Sequence, residues 1–169
     1  MDSSNIDYLA DMQGFTIPGG GYIVKELAYV PVSGSADPQV LMFKPPYPWK
    51  KLSDKYKREN LWLQRCYHGL DWSSGKFEYF YVGSMLHENL DHARRILVSN
   101  EIKKKWLEGF NFKVFNLQEL GYTIVDLPKT ATACSNHKGK FKVNCALHNV
   151  KFMKKFYFCN IEEMEWEDI

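Results

Sequence analysis

Half of the chain's four cysteines and two of its five histidines fall within one short stretch: Cys134-Ser-Asn-His137, seven residues, then Cys145-Ala-Leu-His148. A Cys-x2-His pair presents a thiolate and an imidazole to one small ion from a tight turn. Seven residues let the chain double back and supply a second thiolate. Cys145 and His148 are three apart, so on a helix they project to the same side. Tetrahedral zinc takes four such ligands with Zn–S near ~2.3 Å. The stretch offers Cys134, His137 and Cys145, with His148 as a candidate fourth. Chance rarely concentrates metal-ligating types so tightly, and Zn²⁺ is the expected cofactor, although the spacing is not one of the common finger spacings.

Other chemistry-bearing residues are weaker. Cys66-Tyr-His68 splays its two side chains apart on a helix or strand, so packing is expected there. No base or orienting amide stands at a spacing that would activate a cysteine nucleophile. Gly19-Gly20-Gly21 lacks the lysine and the strand–helix context of a phosphate loop and reads as a turn.

The formal charge of +2 conceals an asymmetry: residues 162–169 (EEMEWEDI) hold five acids and no base, so the rest of the chain carries +7. Between Leu127 and Ile161 there are seven lysines and no acid. Basic runs interleaved with aromatic rings can grip a phosphate backbone while the rings stack on bases. The candidates for such contact are Lys103, Lys104, Lys138, Lys140 and Lys142; as solvated helix faces the same lysines would bind nothing. Single-stranded nucleic acid or a protein is therefore the expected partner. The acidic tail, set apart as residues 161–169, would either solubilise the domain or mask a basic patch.

The elements that must position these residues are legible in part. Apolar Met12–Ile17, the turn Pro18-Gly19-Gly20-Gly21 and the β-branched run 22–30 predict an opening hairpin. Gln39–Phe43 predicts a short strand ended by Lys44-Pro45-Pro46-Tyr47-Pro48, and Leu52–Tyr67 a helix with Ser53 near its N-cap. Phe80–Leu97 reads as a helix running into the strand 95–98, Lys103–Phe110 as a helix and Phe112–Phe115 as a strand, with a helical turn over 116–120. Val143–Phe158 is the clearest helix, with Ala146, Val150, Met153 and Tyr157 on one face and lysines on another. An α/β domain spanning residues 1–160 is expected. Aromatics at 15% suffice for its core. No apolar run is long enough to span a membrane, and the polar, acidic first ten residues lack the pattern of a secretory signal. An intracellular, reducing compartment, cytoplasm or nucleus, is expected.

Asp11-Met-Gln-Gly-Phe, the glycine turn and Ile23-Val-Lys-Glu26-Leu-Ala resemble the opening hairpin of the ribonuclease H-like DEDDh exonucleases. In that family the first strand carries an Asp-x-Glu pair. Residues 96–107 resemble the second motif region, and Asn144-Cys-Ala-Leu-His-Asn149 falls where the family has a His-x-Ala-x-x-Asp helix. The resemblance implies a mixed sheet opened by a β-hairpin and flanked by helices. Such enzymes gather four carboxylates around two Mg²⁺ ions. Here Asp11 stands alone: Gln13 replaces the Glu, Lys103 falls near the second-motif Asp, Asn149 replaces the last Asp and Asn144 the catalytic His.

One branch matches these losses. The Maelstrom domain, of an animal factor in small-RNA transposon silencing, is similar to these exonucleases but carries a Glu-Cys-His-Cys zinc site. Its late Cys-x2-His and Cys-Ala-Leu motifs resemble Cys134, His137 and Cys145-Ala146-Leu147. The resemblance would make Glu26 the remaining ligand, with His148 a spare. The high-mobility-group box often found ahead of that domain has no counterpart here, and neither has the segment from Lys44 to Gly75. The implied function is a zinc-stabilised, catalytically lapsed nuclease-like domain that binds single-stranded nucleic acid, RNA foremost, or a silencing-type protein. The alternatives are a nuclease with a non-standard site (Asp11 as carboxylate, His137 or His148 as acid–base, Lys103 as phosphate clamp) and a regulatory element from a mobile element or virus.

Overall fold

The computed structural model describes residues 6–120, 127, 129–138 and 142–160. Its centre is a mixed five-stranded sheet in the order β3-β2-β1-β4-β5. Strand β1 (Ile6–Ile17) and β2 (Gly21–Pro31) form the opening hairpin, and β3 (Gln39–Met42) pairs antiparallel with β2. Strands β4 (Ala93–Val98) and β5 (Val114–Asn116) run parallel to β1 on its other side. The hairpin is the expected one, with β1 starting six residues earlier, at Ile6.

Alternation along β1 sorts side chains to two covered faces. Tyr8, Ala10 and Met12 enter one core with Val82, Leu86 and Leu90 of α2 (Val82–Leu90) and Leu107 of α3 (Glu101–Glu108). Leu9, with Ala28, Val30 and Leu97, packs against Ala146, Val150, Met153 and Tyr157 of α4 (Ala146–Asn160). The lysine-flanked apolar stripe predicted for this last helix is thus its buried face. The helix begins later than position 143 because Val143 is held in a backbone bridge with Thr130.

A β-bulge between β1 and β2 decides which face the hairpin's polar groups reach. Gln13 pairs with Glu26 but Gly14 pairs with Val24, so Lys25 is the extra residue. Val24 and Leu27 therefore both face the α2/α3 core, and Glu26 is turned toward α4. Gly14 is required here, since a Cβ would overlap the Ile23 carbonyl oxygen.

The segment between β3 and α2 wraps the hairpin tip. Helix α1 (Asp54–Trp62) continues into a π-type turn, Leu63–Tyr67, and Leu52 and Trp72 bury against Phe15 and Ile23. Ser53 stands at the N-cap, but its hydroxyl makes no capping bond. Lys25 ties this segment down: its ammonium donates to the carbonyls of Trp72, at 2.9 Å, and Ser74. Burial lowers the Lys25 pKa to about 8, with the Asp71 charge opposing that shift.

Candidate metal centre

Cys145 sits immediately before the first residue of α4, and Cys134 and His137 lie on the preceding turn, where the His137 N–H donates to the Cys134 carbonyl at 3.3 Å. The Thr130–Val143 bridge closes the loop that carries Cys134 and His137, and Cys145 follows two residues beyond it. The bulge-directed carboxylate of Glu26 meets them. One ligand atom from each of Glu26, Cys134, His137 and Cys145 lies within 4.8 Å of the others, close enough to hold a metal ion.

Short contacts surround the Glu26 carboxylate. His137 Nε2 stands 2.9 and 3.1 Å from its two oxygens, and Cys134 Sγ 3.2 Å from Oε2. The Ala146 N–H, at the positive end of α4, donates to Oε1 at 2.7 Å. His137 is fixed from behind. Its Nδ1–H donates to the His68 carbonyl, which turns Nε2 toward the shared point. His68 is itself pinned, accepting from the Leu70 N–H at Nδ1 (3.0 Å) and donating from Nε2 to the Gly14 carbonyl (2.9 Å). Burial lowers its pKa to about 4, so it is a neutral packing residue, as expected from the Cys66-x-His68 spacing.

The thiols divide the charge between them. The hydrogen bond from Cys134 lowers the Cys145 pKa to about 3, against the effect of burial, and His137 adds to that stabilisation. The bond to Cys145, then burial and the Glu26 charge, push the Cys134 thiol up. Burial disfavours the His137 cation, but hydrogen bonds to Cys145 and Glu26 outweigh it and hold its pKa at about 10. The imidazolium supplies a positive charge that these converging anions demand.

His148 does not join the group. It lines a separate depression of about 430 Å³ with Val30, Lys151 and Phe152. Among the described residues it is Glu26 of β2, and not His148, that joins Cys134, His137 and Cys145.

A second polar cluster lies on the same sheet face. Asp11 is fully buried, and its carboxylate accepts from the Lys103 ammonium and from the Asn149 amide at 2.8 Å, with the Gln13 amide at 3.5 Å. Lys103 comes from the first turn of α3, whose N-cap Asn100 accepts the Lys103 N–H at 3.0 Å. Asn144 is buried at the base of the metal loop, donating its N–H to the Tyr67 carbonyl. Asn149 Oδ1, also buried, has no partner among the described residues. Beside this cluster runs a cleft of about 470 Å³ walled by Tyr22, Tyr56 and Tyr67, with Gln13 and Lys103 at its edge.

Three of the lysines singled out by sequence are paired with acids. Lys103 is paired with Asp11, Lys104 with Glu119 at 3.0 Å, and Lys138 with Asp71. Lys142 is exposed; Lys140 and the acidic tail 161–169 lie outside the described residues. No described helix is long and apolar enough to cross a membrane. Sequence reasoning missed the buried Asp7, which takes paired hydrogen bonds from Arg94 and Arg95 across 2.7–3.1 Å. No local spacing announces a pair 87 residues apart. Comparison with known protein families, with curated proteins and with solved structures gives no match.

Proposed function

We propose that this chain is a zinc-stabilised, catalytically lapsed nuclease-like domain of ribonuclease H-like type that binds single-stranded nucleic acid. The observation that carries this reading is the company of Asp11. The positions at which the exonuclease resemblance expects further carboxylates hold Gln13, Lys103 and Asn149, and these side chains converge on Asp11. An ammonium on this carboxylate takes up the negative charge that a pair of Mg²⁺ ions would need. The hairpin-led mixed sheet with helices on both faces is compatible with the same fold. The tyrosine-walled cleft beside Asp11 suits stacked bases.

Zinc is the ion this donor set fits. Two thiolates, one imidazole and one carboxylate are borderline-soft ligands, and bonds of ~2.0–2.3 Å give tetrahedral edges of ~3.3–3.8 Å. The contacts of 2.9–3.2 Å around Glu26 and the 4.8 Å limit on all pairs bracket those edges. When bound, the ion would join β2, the metal loop and the start of α4 as a structural cross-link.

Elemental analysis of protein purified without chelator tests the zinc reading. About one zinc per chain is expected, retained in His148→Ala and lost in Glu26→Ala. A gel shift with short single-stranded RNA tests the function: binding that weakens steeply with salt is expected, without Mg²⁺-dependent cleavage. Absence of binding at low salt, or cleavage abolished by Asp11→Asn, overturns it.

A further inference from the structure

A cavity of about 790 Å³ lies between α1 and the Trp72–Ser74 loop, one residue beyond the metal loop's His137. It is distinct from the cleft beside Asp11, and its size falls within the range of ligand-binding pockets. Helix α1 is the ridge between the two. Lys57, Leu61 and Gln64 stand at i, i+4 and i+7 and line this cavity together with Arg58, while Tyr56, Glu59 and Leu63 line the other. The helix ends in the π-type turn, with the His68 N–H bonded to the Leu63 carbonyl at 2.9 Å, a local irregularity frequent at functional sites.

The opposite wall is aromatic. Trp72 is 3% exposed, its indole N–H committed to the Tyr47 carbonyl at 3.1 Å. It braces Trp49 edge-on, with ring centroids 5.5 Å apart at 74°. Trp49 is half-buried, and its own N–H has no partner among the described residues.

Charge fixes the class of occupant. Asp71, the acid in this lining, is already satisfied: Gln64 donates to Oδ1 at 3.0 Å and Lys138 pairs with Oδ2. The side chains of Lys57 and Arg58 have no hydrogen-bond or ion-pair partner among the described residues, so two unneutralised cations share the cavity with an indole ring. A ligand that matches carries both a flat ring and an anion.

We infer that this cavity holds one nucleotide of a single-stranded chain, its base against Trp49 and its phosphate between Lys57 and Arg58. The inference rests on the proposed nucleic-acid binding and gives it a location, in the Lys44–Gly75 segment for which the exonuclease resemblance has no counterpart. Base stacking on an exposed ring contributes about 1–3 kcal/mol per base and tolerates any sequence. The site therefore selects for unpaired, accessible bases over a particular sequence.

The test uses the full chain and fluorescein-labelled ten-nucleotide oligouridine, read by fluorescence polarisation across a salt series. Lys57→Glu with Arg58→Glu is expected to weaken binding at least tenfold and to flatten the salt dependence by about two ion equivalents. Trp49→Ala is expected to weaken it several-fold with the salt slope unchanged. The control, Lys151→Glu with Lys155→Glu on exposed α4 positions, makes the same change in net charge and should alter affinity less than threefold. Circular dichroism confirms that each variant is folded. Equal losses in both double variants, or unchanged affinity in Lys57→Glu/Arg58→Glu, overturn the site while leaving nucleic-acid binding by the domain in place. No binding by the unaltered protein removes the underlying reading as well. Competition with millimolar uridine monophosphate separates the two sources of the ligand. Displacement assigns the cavity to the nucleotide itself, and resistance together with the Lys57/Arg58 loss assigns it to a nucleotide within a chain.

Discussion

Asp11 and Glu26 are both fully buried carboxylates on the same face of the same hairpin, and their surroundings differ in one respect. Around Asp11 the protein supplies the countercharge itself, through Lys103, and fills a further acceptor site with the Asn149 amide. Around Glu26 it supplies two thiols and an imidazole that converge on a point, and the nearest cation is the His137 ring itself. A buried ion is tolerated only when paired and hydrogen-bonded. The first site is complete as a protein structure, while the second leaves four ligand atoms close enough to hold an ion from outside. One sheet face thus carries a closed polar centre and an open one side by side.

Removing the open centre has the larger expected effect. Cys145→Ala should abolish stoichiometric metal and lower the thermal midpoint by on the order of 10 °C. Chelator should produce a matching shift in the unaltered protein and no further shift in the variant. A chelator shift that persists in Cys145→Ala would show that the ion is held elsewhere.

Breaking the closed centre is next. Lys103→Met strands the Asp11 carboxylate and should cost about 3 kcal/mol in urea unfolding. Adding Asp11→Asn, which keeps an acceptor for the Asn149 amide but removes the charge, should restore most of that loss. If the double variant is no more stable than the single one, Lys103 acts through packing and not through charge.

Asp7 sharpens the contrast as a third buried carboxylate, saturated by two arginine forks. Burial raises its pKa, but the hydrogen bonds from Arg94 and Arg95 outweigh this and hold it below the usual carboxylate value. A lowered folded-state pKa contributes stability that is present above the unfolded pKa, near ~3.9, and is lost as pH falls through the folded value. The unaltered protein should therefore exceed Asp7→Asn by on the order of 1–2 kcal/mol at neutral pH, with the gap closing below about pH 4. A gap independent of pH would show that the arginines hold Asp7 by geometry alone.

Much of the fold was legible because its signals are local. The Pro18–Gly21 turn, the β-branched run of β2 and the apolar stripe of α4 each lie within one element. Cys134, His137 and Cys145 were legible for the same reason, being 11 residues apart at most. Glu26 was reachable only through the family resemblance, because 108 residues separate it from Cys134 and its direction depends on a bulge. The pairing of Lys103, Lys104 and Lys138 was not legible, because segments distant in sequence bring Asp11, Glu119 and Asp71 to them. The cavity under α1 was invisible in sequence because its walls come from separate segments, none with a periodic signature of its own.

The loop Cys134–Cys145 touches more than the metal point. Its Lys138 N–H is bonded to the Gly69 carbonyl at 2.7 Å, so closely that a Cβ on Gly69 would lie 2.5 Å from the Lys138 carbonyl oxygen. Gly69 has φ 68°, which favours glycine independently. The loop is thus the shared border of two neighbourhoods, that of the four-ligand cluster and that of the segment around the cavity. Were an ion held by the four ligands, a cell short of that metal would loosen both at once, and the availability of a trace element would set how much of the domain's surface is in working order.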